Sequence, residues 1–468
     1  MKSICILPGD NPDPTILRVG NTYYLTCSSL SYYPGLLLYK SDDLKSFKPV
    51  CRILTENLGD IWAPELVSNN GKYYIYFPAH DPKTGYIRDF VVWSENIESG
   101  WSEPIEIGIT YQIDPGFVTD GTKSWLYFNN SMCAQLTPDL LHLAEKPIKR
   151  NEPWEYPKEW ETQQMNDESP KLFKKNGYYY MITAEGGTAG PATSHMAVCF
   201  RSKSPLGPWE ISPYNPVIHT YSADEKWWST GHATYFEDYD GNGYFVFHGY
   251  KKDNQNMGRQ ILLCKARWTD DGFPLAEEID GEDTVYPDFY DDFKSKTLGL
   301  DWCFYREFDK DRISTGNGLN IKGKGNMIAD SCPLTLNGRF ENYEFEAGID
   351  RIDNDTGAGI AVFYNEKAYI GLYAKNGAIM IADESKEDVL CKTGVSDVRF
   401  KIVKKAQTIT LFVFDGGKWL DSGKSVDITD FQHNVLKKFL SARPCLCAFG
   451  SGNANFTDVA WRNTDIKK

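Results

Sequence analysis

The chain has 468 residues, longer than one ordinary hydrophobic core, so two domains are expected. Aromatic residues make up 14%, with 28 Tyr and 13 Trp, and 39 Gly with 24 Pro supply many turns, a mix that fits an all-β protein rather than a helical one. Lys+Arg 50 against Asp+Glu 64 leaves a formal charge of −14, which argues against nucleic acid and anionic membranes as partners, and no run approaches the ~18 apolar residues of a membrane span.

The N-terminus, M-K-S-I-C-I-L-P, is too short for a signal peptide. The 11 cysteines are scattered singly, with Cys445 and Cys447 the one close pair, which is too few for a four-ligand zinc site. Buried free thiols are therefore expected, in a reducing compartment. That reading places the protein in the cytoplasm; a periplasmic or secreted location is the alternative if a leader has been removed.

Taken in order, the chain opens with G-D-N-P-D-P-T-I-L (9–17), where Asp13 stands between two prolines. Pro fixes its own φ and pushes the preceding residue to extended geometry, so Asp13 is expected in a stiff, extended segment. Ten residues later an aromatic strand begins at Tyr23, and such starts recur at Tyr73, Trp125, Tyr178 and Tyr244, at intervals of 50, 52, 53 and 66. Each unit is long enough for four strands, which is one propeller blade. Five blades carry the chain to residue 287. The residues standing ten to twelve before these starts are Asp13, Ala63, Asp114, Glu168 and His232. A five-fold repeat brings such positions to one axis. The longest interval holds E-G-G-T-A-G-P-A-T-S-H (185–195) and the 210–230 loop, insertions that belong on a binding face.

From Asp288 the period ends. Strand-like runs follow, including Y-E-F-E-A-G-I (343–349), G-I-A-V-F-Y (359–364), V-R-F-K-I-V (398–403) and T-I-T-L-F-V-F (408–414), with D-G-G-K-W (415–419) as a hairpin turn. The segment A-N-F-T-D-V-A-W (454–461) is expected to close the sheet. Residues 1–287 thus read as a five-bladed β-propeller and 288–468 as a β-sandwich.

Glycoside hydrolysis needs two carboxylates in opposite protonation states, and a third acid nearby raises the proton donor's pKa by like-charge repulsion. Any single Asp at a strand start is more often a turn residue. Three acids, Asp13, Asp114 and Glu168, at one register of a repeat are hard to explain that way. Asp167 adjoins Glu168, and alternation places the two on opposite faces, so the ten-residue spacing selects Glu168. Asp10 and Asp120 fall outside the register and read as turn or cap residues. Trp62, beside Ala63, is either a sugar-facing wall or blade packing. Of Trp227 and Trp228, one is expected to pack and the other to reach the cleft.

N-P-D-P-T-I-L-R-V-G-N-T-Y-Y-L, D-I-W-A-P-E-L, I-D-P-G-F-V-T-D-G and E-S-P-K-L-F-K-K-N-G-Y-Y-Y-M resemble glycoside hydrolase family 43, as do T-A-E-G-G-T and F-H-G-Y…M-G-R-Q-I-L-L. The C-terminal region is similar to the β-sandwich of that family's β-xylosidases and arabinofuranosidases. The resemblance implies an inverting, exo-acting enzyme that releases xylose or arabinose from plant cell-wall oligosaccharides. Asp13 matches the general base, Asp114 the residue that tunes the acid, and Glu168 the general acid. Arg259 matches an arginine that binds the sugar, and His232 an axial histidine that contacts water or calcium. Any such calcium is expected to be structural, since the chemistry requires no cofactor. The sequence departs from the family with E-S-P for E-G-P and G-H-A for G-H-G. Two alternatives remain open: a galactose- or galactofuranose-releasing member of the same family, and a non-catalytic sugar-binding propeller. A homo-oligomer is compatible with either.

Overall fold

The computed structural model describes residues 2–164, 167–384, 386–392 and 397–465. One compact unit takes the chain up to Leu30, Pro34–Asp253 and Arg259–Thr284; the other takes Ser31–Tyr33, Asn254–Gly258 and the chain from Val285.

The first unit is a five-bladed β-propeller. Its blades are antiparallel sheets that follow one another along the chain. The first runs Thr15–Val19, Thr22–Thr26, Gly35–Ser41, Lys48–Leu54. In the second, Glu65–Asn69 pairs with Lys72–His80, which leads to Ile87–Ser94 and Ile105–Thr110. The third begins with Gly116–Thr119 and Ser124–Phe128, and the fourth with Asp167–Lys175, Tyr178–Glu185 and Met196–Ser202. The fifth, Trp227–Glu237, Gly243–Lys251 and Arg259–Trp268, is completed by Ile4–Leu7 from the start of the chain. That last pairing ties the two ends of the ring together.

Local sequence accounts for the hairpins. Asn70–Gly71 and Asn176–Gly177 take left-handed φ at both positions, as two-residue turns matched to strand twist require. The aromatic strand starts fill the space between blades. Phe173 stacks on Tyr235 with centroids 4.2 Å apart, and Tyr180 and Trp268 join them in the core between the fourth and fifth blades. Similar clusters lie around Tyr76, Phe117 and Leu126, and around Tyr127, Met181 and Phe200.

The innermost strands meet at a buried ion pair. Lys171 Nζ in the fourth blade donates to Glu65 Oε2 in the second at 2.7 Å and to Pro64 O at 2.9 Å. Thr15 Oγ1 in the first blade donates to Glu65 Oε2 at 3.4 Å, and Phe117 N–H in the third reaches Oε1 at 3.3 Å. The fifth blade adds Thr234 Oγ1, which donates to Pro14 O.

The second unit is a β-sandwich of two eight-stranded sheets. Inward residues such as Phe345, Ile349, Phe400 and Ile402 are buried between them. Asn453–Asn463 lies inside its sheet, with Tyr343–Ile352 on one side and Leu319–Lys322 and Phe289–Asp291 on the other. This corrects the expectation that 454–461 closes the sheet: a strand late in sequence is inserted between earlier ones. Asp415–Lys418 turns through Gly416–Gly417 as the hairpin signal indicated. All 11 cysteines are free; Cys391 is exposed, Cys51 and Cys332 are half-buried, and the others are buried.

Removing one partner of a buried ion pair strands the other charge, at a cost of ~3–5 kcal/mol. Glu65→Ala is therefore expected to lower the unfolding free energy by that amount, seen as a lower denaturant midpoint in urea unfolding. Glu65→Leu combined with Lys171→Met should recover most of it. A midpoint unchanged by Glu65→Ala would show that the pair does not hold the blades.

Candidate active site

Four residues at blade entries adopt left-handed backbone: Asp13 (φ 60), Asp114 (φ 56), Ser169 (φ 53) and His232 (φ 54). The first three each precede a proline. Left-handed φ is uncommon outside glycine, although Asp tolerates it, so Asp13 is not the extended residue that its prolines suggested. The same geometry corrects the register. Ser169, not Glu168, is the counterpart of Asp13 and Asp114, and Glu168 stands one residue earlier. A bulge between Glu168 and Lys171 absorbs the offset. Glu168 still joins the group. Ser169 N–H donates to Asp114 Oδ2 at 3.1 Å, so a single peptide separates the two acids. Glu168 is half-buried, whereas Asp13 and Asp114 are buried. Asp167 points the other way, as alternation requires, and accepts Ser131 Oγ at 2.6 Å.

Asp13 is held from several sides. Arg259 Nη1 donates to Oδ1 at 2.9 Å and Ser28 Oγ to Oδ2 at 2.5 Å. His232 Nδ1 lies 3.3 Å from Oδ1. Burial pushes the Asp13 pKa up, but the adjacent Arg259 guanidinium outweighs it and holds the carboxyl well below its usual range. Asp13 is therefore ionised. Its own N–H donates to His248 Nδ1 at 3.0 Å, so a neutral His248 carries its proton on Nε2, where it meets Thr188 Oγ1 at 3.2 Å. Burial drives the His248 pKa down to about 4 and holds His232 and His195 well below the usual value. Asp114 is pushed the other way. Burial, then Glu168, then Asp13 raise it well above the carboxylate range.

The structure thus brings together Asp13, Asp114, Glu168, Arg259 and His232. Arg259, expected on the sugar, shows its guanidinium on Asp13. Trp62 is half-buried and stacks on His80, with centroids 4.7 Å apart. Trp227 is buried and Trp228 half-buried. Asp120 caps an exposed turn, while buried Asp10 accepts Arg259 N–H at 3.1 Å, which fixes the backbone that carries the arginine. Sequence reasoning did not single out His248, Thr188, Glu65 or Lys171. Each lies in or beside a motif quoted above, but no spacing rule distinguishes it.

Donor atoms of Asp13, His232 and His248 lie within 4.8 Å of one another. Calcium takes six to eight oxygen ligands. This set offers one carboxylate, already paired with Arg259, and two imidazoles, so it does not fit a directly ligated calcium. His232 Nε2 is buried without a hydrogen-bond partner among the described residues, which suits contact with a water molecule.

The model of "Glycosyl hydrolases family 43" matches residues 3–274, and that of the "Beta xylosidase C-terminal Concanavalin A-like domain" matches residues 290–463. The chain is 28% identical to a non-reducing end α-L-arabinofuranosidase of Bacteroides ovatus, over 96% of this chain and 92% of that one. It is 32% identical to a xylan 1,3-β-xylosidase of Vibrio sp. over 57% of this chain and 56% of that one. Among solved structures, a family 43 protein of Bacillus licheniformis aligns with a TM-score of 0.87 at 25% identity, covering 98% of this chain and 99% of that one. The Bacteroides ovatus xyloglucan PUL GH43B aligns with a TM-score of 0.86 at 26% identity, covering 99% of this chain and 100% of that one.

If Arg259 keeps Asp13 ionised, losing its charge must raise the Asp13 pKa. The acid limb of the kcat/KM profile is lost where Asp13 becomes protonated, so Arg259→Gln should move that limb to higher pH by about 1–3 units. A limb that stays in place while activity falls would assign Arg259 another task.

Proposed function

The chain belongs to glycosyl hydrolase family 43, and from that premise we propose an inverting, exo-acting glycosidase that releases xylose or arabinose from the non-reducing ends of plant cell-wall oligosaccharides. The observation that carries this reading is the division of charge among three converging acids. Asp13 is held anionic by Arg259, while Asp114 is pushed toward its protonated form beside Glu168.

Asp13 is the base. Its ionised carboxylate takes a proton from water as that water attacks the anomeric carbon. Glu168, half-buried at the strand entry, protonates the departing oxygen in the same displacement. Burial and then the charge of Glu168 make loss of the Asp114 proton costly. The pair therefore retains a proton above the ordinary carboxylate range, as a general acid requires. Both carboxyl chemistries come from side chains, and the scheme routes no step through a metal. The names of the arabinofuranosidase and xylosidase relatives support the choice of sugar.

Single displacement gives a product of opposite anomeric configuration. Proton NMR of the early reaction should show that anomer before mutarotation; the retained anomer appearing first would make Asp13 a nucleophile instead of a base.

The worth of Glu168 should follow the leaving group's need for a proton. Glu168→Gln is expected to cost ~10²–10⁴-fold on an oligosaccharide or alkyl glycoside and far less on a dinitrophenyl glycoside. The alkaline limb of kcat/KM should vanish with it, and Asp114→Asn should move that limb to lower pH. Equal losses on both substrates with the limb intact would remove Glu168 from the acid role.

A further inference from the structure

An aromatic surface stands beside the loops that bracket Glu168, with one ring on the first of them and another on the segment after Ile218–His219. One loop, containing Trp154 and Trp160, leads directly into the Glu168 strand. A second, Gly186–Ser194, follows Glu185, which closes the strand paired with it. The two loops are sewn together. Gln163 N–H donates to Gly186 O at 2.9 Å and to Ser194 Oγ at 2.7 Å, and Gln163 Oε1 accepts Ala189 N–H at 2.8 Å. An added Cβ at Gly187 would lie 2.6 Å from Gln163 Oε1, which shows how closely the loops approach. The second loop also touches the catalytic group, because Thr188 Oγ1 meets His248, and His248 accepts Asp13 N–H.

On this scaffold Trp160 stacks on His219, centroids 4.6 Å apart and planes 15° apart. His219 is fixed by Nε2, which donates to Thr193 O at 2.8 Å. Tyr221 packs edge-on against both rings, 4.7 Å from His219 and 6.3 Å from Trp160. Tyr221 is nonetheless 64% exposed, so its ring does not serve a core.

We infer that Trp160 and Tyr221 form the subsite for the leaving-group sugar of the oligosaccharide. The inference rests on the acid role assigned to Glu168. The residue that protonates the leaving oxygen must face the ring that departs; Trp160 stands on the loop that leads into its strand, and Tyr221 packs against Trp160 from the segment that follows His219. A pyranose or furanose presents an apolar C–H face that packs on an aromatic ring, while its hydroxyls stay in water. Rigid rings already held by neighbours offer this contact at little ordering cost. The subsite selects for a sugar in the leaving position and contributes nothing to a leaving group without a ring.

The test compares xylotriose and arabinotriose with the methyl glycosides of the same sugars, whose leaving group is methanol. Tyr221→Ala should lower kcat/KM on the trisaccharide that the enzyme cleaves by about tenfold more than on its methyl glycoside. Tyr221→Phe keeps the ring and should behave as the wild type, and Trp160→Ala should show the same selectivity as Tyr221→Ala. Equal losses on both substrates, or none, would overturn the inference. If the wild type cleaves neither class, it is the proposed reaction that fails. Calorimetric titration with each trisaccharide and its free monosaccharide then decides: weaker binding of a trisaccharide alone by Tyr221→Ala upholds the subsite, and no such difference overturns it.

Discussion

The buried ion pair between Lys171 and Glu65 is the constraint on which the site depends. A propeller blade has little reason to hold one particular distance from the blade opposite. Here a charged side chain from the fourth blade reaches the second, and the first and third add hydrogen bonds to the same carboxylate. Neither charge could remain buried alone. The pair therefore fixes the innermost strands relative to one another, and the three candidate acids stand at the entries of those strands. Lys171 also follows Ser169 by two residues, so the contact that locks the hub also locates the peptide that binds Asp114.

Around that hub the protein sorts carboxyl groups by neighbour. Asp13 and Asp114 are both buried and both enter a strand with left-handed backbone. Burial raises both. Arg259 reverses the effect at Asp13, while Glu168 reinforces it at Asp114. The same residue type in the same local geometry is thus driven to opposite protonation states. His248 accepts the Asp13 N–H without adding a net cation, which leaves Arg259 as the positive charge in direct contact with Asp13.

Much of this architecture was legible in the sequence. The aromatic period identified five blades, because each blade must bury the same kind of face against its neighbour. Asn–Gly turns and alternating strands are local signals, and the structure keeps them. The weak points were equally specific. Counting back from Tyr178 placed Glu168 in register with Asp13, yet the left-handed residue is Ser169. A bulge shifts the count without leaving a mark in composition. The 454–461 segment read as a closing strand because sequence order does not state sheet order. His248 was invisible to spacing because it belongs to the second strand of its blade, away from the repeated entry position.

By itself the sequence determined the fold class and the blade count and named the three acids as candidates, since these follow from periodicity, turn chemistry and motif. Only the tertiary structure decided which acid is ionised, which residue carries each left-handed entry, and what Arg259 touches. The physical reason is one of range. Turns and alternation arise between residues a few positions apart. A pKa is set by burial and by charges within a few ångströms, and at Asp13 the adjacent positive charge comes from Arg259, more than two hundred positions away.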